Sequence, residues 1–290
     1  MKKTYKTIIL LVSLITLIIV YFFNSKYIIK CFLEYNELFY TKLFPVSFIF
    51  FVFSTILIEY KILDIIPINI NSIYIYLLSL ISGFPSGAKY TKELLDNQSI
   101  TKEEATNLLL FSHFPNPLFI LGSISLILDQ NICIKLLLSI ILSNFIILLF
   151  TKKYKKEKSI ITFPNNFSSV LKIAIYKSIK TIILIYGTSI FFYLISCIIT
   201  KYISFNPYFY ILISGLFDLT KGVFSTSIIN NTIIKSIFIL VFISFGSLSI
   251  HMQVKSILED TLLYKSFIKG RIIGTILACL IFLLLIIPTR

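Results

Sequence analysis

Apolar residues run through this chain in long stretches, and the polar positions between them divide it into lengths suited to a membrane. Alternation at a period of two, typical of barrel strands, does not occur. Helices of such apolar lengths approach or match a bilayer core of about 30 Å. The pattern predicts an all-α polytopic integral membrane protein. Eight segments lack Asp, Glu, Lys and Arg: residues 7–25, 43–58, 65–88, 105–128, 136–151, 181–200, 236–254 and 272–289.

One of the longest apolar segments is interrupted near its end. Residues 65–88 contain Gly83, Pro85 and Gly87, and Lys89 follows at once. Lipid cannot pair freed N–H and C=O groups, so such a break persists only inside protein or along a polar cavity. A cation beside a broken intramembrane helix is typical of a transporter site. The alternative is a turn at the membrane surface, with Lys89 reaching into water.

The other half of the chain repeats this arrangement. Ile-Ser-Gly with a lysine six residues after the glycine occurs at residues 81–89 and again at 213–221. A second interruption follows each copy, at residues 111–117 and 245–253, and each holds one of the chain's two histidines. Paired broken segments in two weakly similar halves indicate a secondary transporter. We therefore predict two internal repeats, each with broken or re-entrant helices, in a transporter-like fold.

Positive charge marks the predicted junction between the halves. Residues 152–158 include five lysines, the strongest positive-inside signal in the chain. We predict that this loop and the N-terminus are cytoplasmic. An even number of crossings must then separate them, which favours at least one re-entrant hairpin. The predicted parts are an N-terminal membrane helix with an interfacial segment (1–37), a first repeat (38–150), a basic cytoplasmic linker (151–168) and a second repeat (169–290).

Composition narrows the partners and the chemistry. A net charge of +14 would suggest nucleic acid in a soluble chain. Here the lysines lie between apolar runs, where cytoplasmic loops and anionic lipid headgroups account for them. We expect contact with the lipid bilayer and none with nucleic acid. The four cysteines lack metal-ligand spacing, and catalytic motifs are missing, so no metal site, cofactor or enzyme activity is predicted. Homo-oligomerisation is left open.

Two motifs resemble a known family. Residues 82–89, a helix capped at Thr101 and residues 116–122 resemble the YlbJ-like sporulation integral membrane proteins, of the wider nucleoside-recognition, or gate-domain, family. Residues 245–253 resemble that family's second motif. The similarity covers roughly residues 38–285, so both predicted repeats are gate-like. Ser247 stands where a second glycine is expected, and His113 and Pro115 also depart from the pattern.

The resemblance implies a fold related to concentrative nucleoside carriers and a role in sporulation. Members of this group are linked to moving dipicolinic acid from the mother cell across the outer forespore membrane. The resemblance therefore implies a transporter of this small anion in a cell membrane, the outer forespore membrane in particular. A nucleoside-type transporter and a non-transporting scaffold for spore assembly are the alternatives. Lysines at both breaks argue mildly against nucleosides.

Dipicolinate is a small, flat dianion, and helix N-termini and lysines suit such a ligand. Asp218 is expected to form a structural ion pair with Lys221, with a bound coupling cation as the alternative. Residues 82–89 and 246–253 are expected to approach each other near mid-membrane, because backbone groups freed at a break need polar partners there. For the lysines the alternative is an interfacial cation, and for the neutral polar residues it is helix–helix contact. The predicted substrate-binding residues are Gly83, Pro85, Ser86, Gly87, Lys89, His113, Asn116, Lys221, Gly246, Ser247, Ser249, His251 and Gln253.

Overall fold

The computed structural model describes residues 2–60, 71–96, 98, 100–152, 166–202 and 206–286. Within these ranges the regular structure is helical throughout. A π-helical turn, Phe39–Leu43, joins the second and third helices. The helices are α1 (Lys2–Phe23), α2 (Ser25–Leu38), α3 (Phe44–Glu59), α4 (Asn71–Ser82), α5 (Ser86–Asp96), α6 (Lys102–Phe111), α7 (Gln130–Phe150), α8 (Phe167–Tyr202), α9 (Pro207–Phe217), α10 (Leu219–Ser225), α11 (Thr232–Phe245), α12 (Leu248–Leu258) and α13 (Thr261–Ile286).

Short irregular helices complete the described chain. A π-turn, Phe119–Ser123, and a 3₁₀ turn, Ile124–Leu126, continue α6 beyond its break. A second 3₁₀ turn, Thr226–Ile228, follows α10. The predicted capping box at the start of α6 is confirmed, because the Thr101 side chain accepts from the N–H of Glu104 and the Glu104 carboxylate accepts from the N–H of Thr101.

Four helical stretches are long and apolar enough to cross a membrane: α7, α8, residues 232–258 and α13. A fifth exists if residues 7–23 and 25–43, which meet at 94°, count as one bent span. The chain is thus an all-α polytopic membrane protein, as its apolar pattern predicted. Most of the predicted basic linker, residues 153–165, lies outside the described residues, and the division into two repeats stays a prediction.

The helices form one bundle around two apolar clusters. In the larger cluster α7 lies along α13, and α6 and α11 pack against the same helix. In the smaller one α3 lies along α8, with Tyr35 and Phe39 between them. By contrast, many large apolar side chains of α1 are exposed, among them Ile8, Ile15 and Phe23. Lipid solvates such a surface as well as another helix would.

Polar contacts fix which ends of the helices lie together. In the N-terminal part of α8, Lys177 Nζ lies 2.6 Å from Glu59 Oε1, at the end of α3. At the other end, Lys201 Nζ lies 2.5 Å from Asn24 Oδ1, just before α2. The long helix α8 therefore runs antiparallel to the path from α2 to α3. We call these two sides of the bundle the Lys177 end and the Lys201 end.

Two helical hairpins fold back on themselves. In hairpin 1, formed by α4 and α5, the hydroxyl oxygens of Ser82 and Tyr90 lie 2.8 Å apart. In hairpin 2, formed by α9 and α10, a Cβ on Gly222 would lie 2.2 Å from the Cα of Gly215. Such contacts require each chain segment to reverse at its break. Hairpins of this kind match the re-entrant segment that the predicted topology needs.

The two hairpins come from opposite ends of the bundle. In hairpin 1, the charged neighbours of Lys89 include Glu59 and Lys177, which mark the Lys177 end. In hairpin 2, Lys221 Nζ lies 3.2 Å from the hydroxyl of Thr200, beside the Lys201 end. Their tips consequently point toward each other through the bundle.

Candidate functional site

In the first half, the tip of hairpin 1 packs directly on the break that follows α6. Gly83 has a φ of +72°, and a Cβ there would lie 2.8 Å from the backbone nitrogen of Asn116. A Cβ on Gly87 would lie 1.7 Å from the carbonyl oxygen of Ser112. Only glycine allows this approach at both positions. The glycines of the first motif therefore shape a backbone-to-backbone contact.

In the second half, Asp218 joins the tip of hairpin 2 to the break between α11 and α12. Its Oδ1 accepts from the backbone N–H groups of Thr220 and Lys221, each at 3.0 Å, and so caps α10. The Ser249 hydroxyl donates to Asp218 Oδ2 at 3.4 Å. The hydroxyl oxygens of Ser247 and Ser249 lie 2.7 Å apart. This chain of polar contacts holds the second pair of breaks together.

The two halves meet around one cavity, which we call the central cavity. Helix α5 packs on α12, and residues of both stretches line this cavity, so residues 82–89 and 246–253 approach each other as predicted. Their predicted depth near mid-membrane stays a prediction. The cavity has an empty volume of about 680 Å³, which includes the space at its open side. Its wall consists of Phe39, Leu43, Ser47, Phe51, Phe84, Asn116, Phe119, Ile182, Ile185, Ser189, Leu219, Thr220, Ile250 and Gln253.

The polar groups in the central cavity are neutral amides and hydroxyls. Asn116 Oδ1 accepts from the N–H of Leu118 at 2.9 Å, whereas its buried Nδ2 has no hydrogen-bond partner among the described residues. Gln253 Nε2 donates to the Thr188 hydroxyl at 2.9 Å. An unsatisfied buried donor costs about 1–3 kcal/mol, which an acceptor on a bound solute would recover. Phe84 and Phe119 add aromatic surface to the cavity wall.

Neither predicted lysine lines the central cavity. Lys89 lies partly buried toward the Lys177 end. Lys221 is buried, and its ammonium lies 3.3 Å from Cys197 Sγ, facing the ring of Tyr193. In place of the predicted ion pair, Asp218 bonds to the backbone N–H of Lys221 while the ammonium turns to α8. The reason is that the cap fixes the start of α10 with the lysine side chain directed toward α8.

Both histidines are buried beside the breaks and pack around Phe267 of α13. The His113 ring stacks on Phe84 with centroids 5.0 Å apart and meets Phe267 edge-on at 4.9 Å. His251 Nδ1 lies 3.1 Å from the Tyr264 hydroxyl, and its ring lies 5.4 Å from Phe267. Neither ring is part of the central cavity wall. These contacts hold the second interruption of each half against α13.

Only two predicted binding residues, Asn116 and Gln253, line the central cavity. The other predicted residues lie outside the cavity wall. Some of them, such as the glycines, serve the close backbone packing at the breaks and not the binding of a ligand. Outside the cavity wall are Gly83, Pro85, Ser86, Gly87, Lys89, His113, Lys221, Gly246, Ser247, Ser249 and His251.

Sequence reasoning missed Arg271, a fully buried cation on α13. Its guanidinium donates to the carbonyl oxygens of Leu110 and His113 at 3.1 Å and of Ser244 at 3.4 Å. It also donates to Asn144 Oδ1 at 3.2 Å. The carbonyls belong to the C-terminal ends of α6 and α11, where helix dipoles are negative. Arg271 therefore ties together the two broken helices.

Gly270, next to Arg271, allows α13 to pack close enough to α6 for the guanidinium to reach these carbonyls. A Cβ on Gly270 would lie 2.1 Å from the carbonyl oxygen of Leu110, so α13 approaches α6 as closely as two backbones can. The available signal in the sequence was a lone arginine beside a glycine at the start of an apolar run. None of the ion pairs among the described residues includes Arg271. Backbone carbonyls and an amide pair with its two terminal nitrogens, whereas its buried Nε has no partner among the described residues.

Comparison with known proteins bears on the family. No family model and no solved structure matches the chain. Membership of the gate-domain family therefore stays a prediction. The chain is similar to the sporulation integral membrane protein YlbJ of Bacillus subtilis strain 168, at 25% identity in an alignment of 299 residues. The alignment covers 83% of this chain and 73% of that protein. This similarity over most of both chains confirms the resemblance to YlbJ-like sporulation integral membrane proteins that the motifs indicated.

Proposed function

We propose that the chain is a membrane transporter of a small anionic solute, most simply dipicolinate, moved across the outer forespore membrane during sporulation. The observation that carries the transport proposal is the central cavity, in which both hairpin tips and both broken helices meet. Discontinuous helices around a buried site are typical of secondary transporters. The name of the Bacillus subtilis relative supports the setting in sporulation.

The central cavity offers the groups that a flat dicarboxylate needs. The unpaired Nδ2 of Asn116 and the hydroxyls of Thr220 and Ser189 are neutral donors on its wall. Hydrogen bonds from such donors to a carboxylate are charge-assisted and therefore stronger than neutral ones. Phe84 and Phe119 supply aromatic surface for the pyridine ring. We infer binding without a fixed counter-charge in the cavity wall.

The opposed hairpins suggest how access alternates. Phe84 at the tip of hairpin 1 borders the cavity from the Lys177 side, and Thr220 at the tip of hairpin 2 borders it from the Lys201 side. Movement of one hairpin at a time would open the cavity to one side of the membrane. With the basic linker in the cytoplasm, the Lys177 end is the cytoplasmic side and solute leaves at the Lys201 end.

A nucleoside-type transporter is the second candidate, favoured by one observation. Among the described residues, the wall of the central cavity contains amides, hydroxyls and aromatic rings but no lysine. Neutral groups of this kind can pair with a base and a ribose. The lysines that argued against nucleosides in the sequence lie outside the cavity, so that argument loses its weight.

Uptake into liposomes tests the proposal. The purified full chain is reconstituted, and entry of labelled dipicolinate is measured beside labelled uridine and adenosine. Asn116→Leu and Gln253→Leu should each lower dipicolinate uptake at least tenfold, about 1.4 kcal/mol, because a cavity hydrogen bond is lost. Gln130→Leu, at an exposed position at the start of α7, is the matched control and should transport normally.

The outcomes separate the three candidates. Dipicolinate uptake that depends on Asn116 and Gln253 supports the proposal. Nucleoside uptake with the same dependence, without dipicolinate uptake, replaces it by the second candidate. A well-folded protein that moves none of these solutes would leave the scaffold as the better reading.

A further inference from the structure

A second cavity lies toward the Lys201 end of the bundle, and we call it the Lys221 cavity. Its volume is about 750 Å³, including its mouth. Tyr27, Glu34 and Cys197 are part of its wall, together with Lys221 and Tyr210. Its lining is more polar than that of the central cavity, and it contains a lysine that the proposed transport function has not used.

The two cavities lie in series between the same helices. On α8, Ser189 lines the central cavity, whereas Tyr193 and Cys197 line the Lys221 cavity. Residues four apart share a helix face and are separated by about 6 Å along the axis. On the facing wall, Phe39 lines the central cavity and Glu34 the Lys221 cavity. One path between α8 and the α2–α3 segment therefore passes both cavities.

A layer of aromatic rings separates the cavities. Tyr35 is completely buried, with its ring centroid 5.1 Å from Tyr193 and 6.0 Å from Phe39. Tyr35 is in neither cavity wall, whereas Phe39 faces the central cavity and Tyr193 the Lys221 cavity. The layer closes the path in this structure.

Lys221 is a buried cation without an anionic partner in the ion pairs of the described residues. Lys221 is 8% exposed. In the hydrogen bonds of the described residues, its ammonium contacts only the neutral acceptors Cys197 Sγ and Thr200 Oγ1. None of the ion pairs among the described residues includes it. A buried ammonium is costly unless an anion pairs with it. Lys201, 4.9 Å from the ring centroid of Tyr27, adds positive charge beside the cavity.

We propose that the Lys221 cavity is a second binding site, which takes a small carboxylate anion and lies in line with the central cavity beyond the Tyr35 layer. The proposal rests on the proposed function only for the identity of the anion, dipicolinate. Glu34 also lines the cavity, with its Oε1 3.9 Å from Lys30 Nζ, and its negative charge opposes an anionic ligand. The anion would then have a positively charged site at Lys221 and, next along the path, a neutral site in the central cavity.

A fluorescent reporter can isolate this site, because the chain contains no tryptophan. Phe224→Trp places one indole in the wall of the Lys221 cavity. The purified full chain carrying this reporter is titrated with dipicolinate and, separately, with pyridine-2,6-dicarboxamide, a neutral molecule of the same shape. We expect a saturable fluorescence change with dipicolinate and none with the diamide at the same concentrations.

Variants in the reporter protein assign the charge. Lys221→Gln should weaken dipicolinate binding at least tenfold, Lys221→Arg should keep it within a few-fold, and Glu34→Gln should strengthen it. Lys255→Gln is the matched control, since Lys255 also lies over a tyrosine ring, 5.8 Å from that of Tyr264, but lines neither cavity. It should bind as the parent does. Size-exclusion profiles confirm that each variant is folded.

Two results would overturn the inference: equal binding by a folded Lys221→Gln protein, or equal binding of the neutral diamide by the reporter protein. The second comparison needs no change at Lys221, so it decides the matter even if that variant does not fold. Asn116→Leu separates this inference from the proposed function, because it should abolish uptake while the reporter still responds. Reporter binding in a protein that transports nothing would sustain the second site and refute transport.

Discussion

Replacing Arg271 with methionine removes the cation that joins the ends of α6 and α11. The variant keeps an unbranched apolar stem but is shorter than arginine and leaves its acceptors without a donor. Three are carbonyl oxygens, those of Leu110, His113 and Ser244, and the fourth is the amide oxygen of Asn144. The two broken helices would then meet with their negative dipole ends uncompensated.

The magnitude follows from opposing contributions. Four hydrogen bonds to a charged donor contribute about 1.5–3 kcal/mol each, roughly 6–12 kcal/mol together. Removing the arginine also relieves the cost of burying its charge, several kcal/mol. We expect a net loss of about 3–5 kcal/mol from these opposing contributions. Arg271→Lys should lose less stability than Arg271→Met because it keeps the charge. It should still be less stable than the parent, because one nitrogen cannot reach both helix ends.

Heating the purified protein in detergent and measuring the folded fraction by size exclusion gives the assay. Arg271→Met should lose its folded form at a clearly lower temperature than the parent, with Arg271→Lys between them. Lys269→Met is the control, because Lys269 lies two residues earlier on α13 and is exposed. If Arg271→Met and Lys269→Met unfold alike, the guanidinium does not hold the broken helices and the reasoning is refuted.

Two further predictions concern the packing of the first half and a contact at the surface. Gly87→Ala should disrupt hairpin 1 and lower the yield of monodisperse protein, whereas Gly122→Ala, where a Cβ meets nothing within 4 Å, should not; similar yields would contradict the close approach. The hydrogen bond from Lys102 lowers the pKa of Asp260, so the carboxylate stabilises the fold above its unfolded pKa of about 3.9. The stability advantage of the parent over Asp260→Asn should therefore persist at neutral pH and vanish as the pH falls below about 4, and a pH-independent difference would exclude this origin.

The helices and their breaks could be predicted because their causes are local. Apolar runs specify membrane helices, and the glycines and proline of residues 83–87 interrupt one of them wherever it lies. The capping box at Thr101 is likewise a matter of four consecutive residues. Such features depend on backbone chemistry within one or two helical turns, so the sequence carries them directly.

The contacts that a side chain makes depend on partners far away in the sequence. Lys221 was expected beside Asp218, three residues away, but its ammonium contacts Cys197 and Thr200 on another helix. Arg271 bonds to carbonyls more than a hundred residues away as well as nearer ones. A backbone carbonyl has no residue-specific signature, so no pattern in the sequence could have indicated that these groups receive a guanidinium.

The placement of the two hairpin lysines also changes how an anion site should be understood. The sequence suggested that Lys89 and Lys221 converge on one ligand, yet opposed hairpins carry them to opposite sides of the central cavity. A dianion between two nearby lysines would be held tightly, which slows release. With the cations displaced toward the two ends and neutral donors at the centre, attraction assists approach from either side while the bound state stays shallow. For a transporter that arrangement favours passage over capture, because transport requires a solute to leave as readily as it enters.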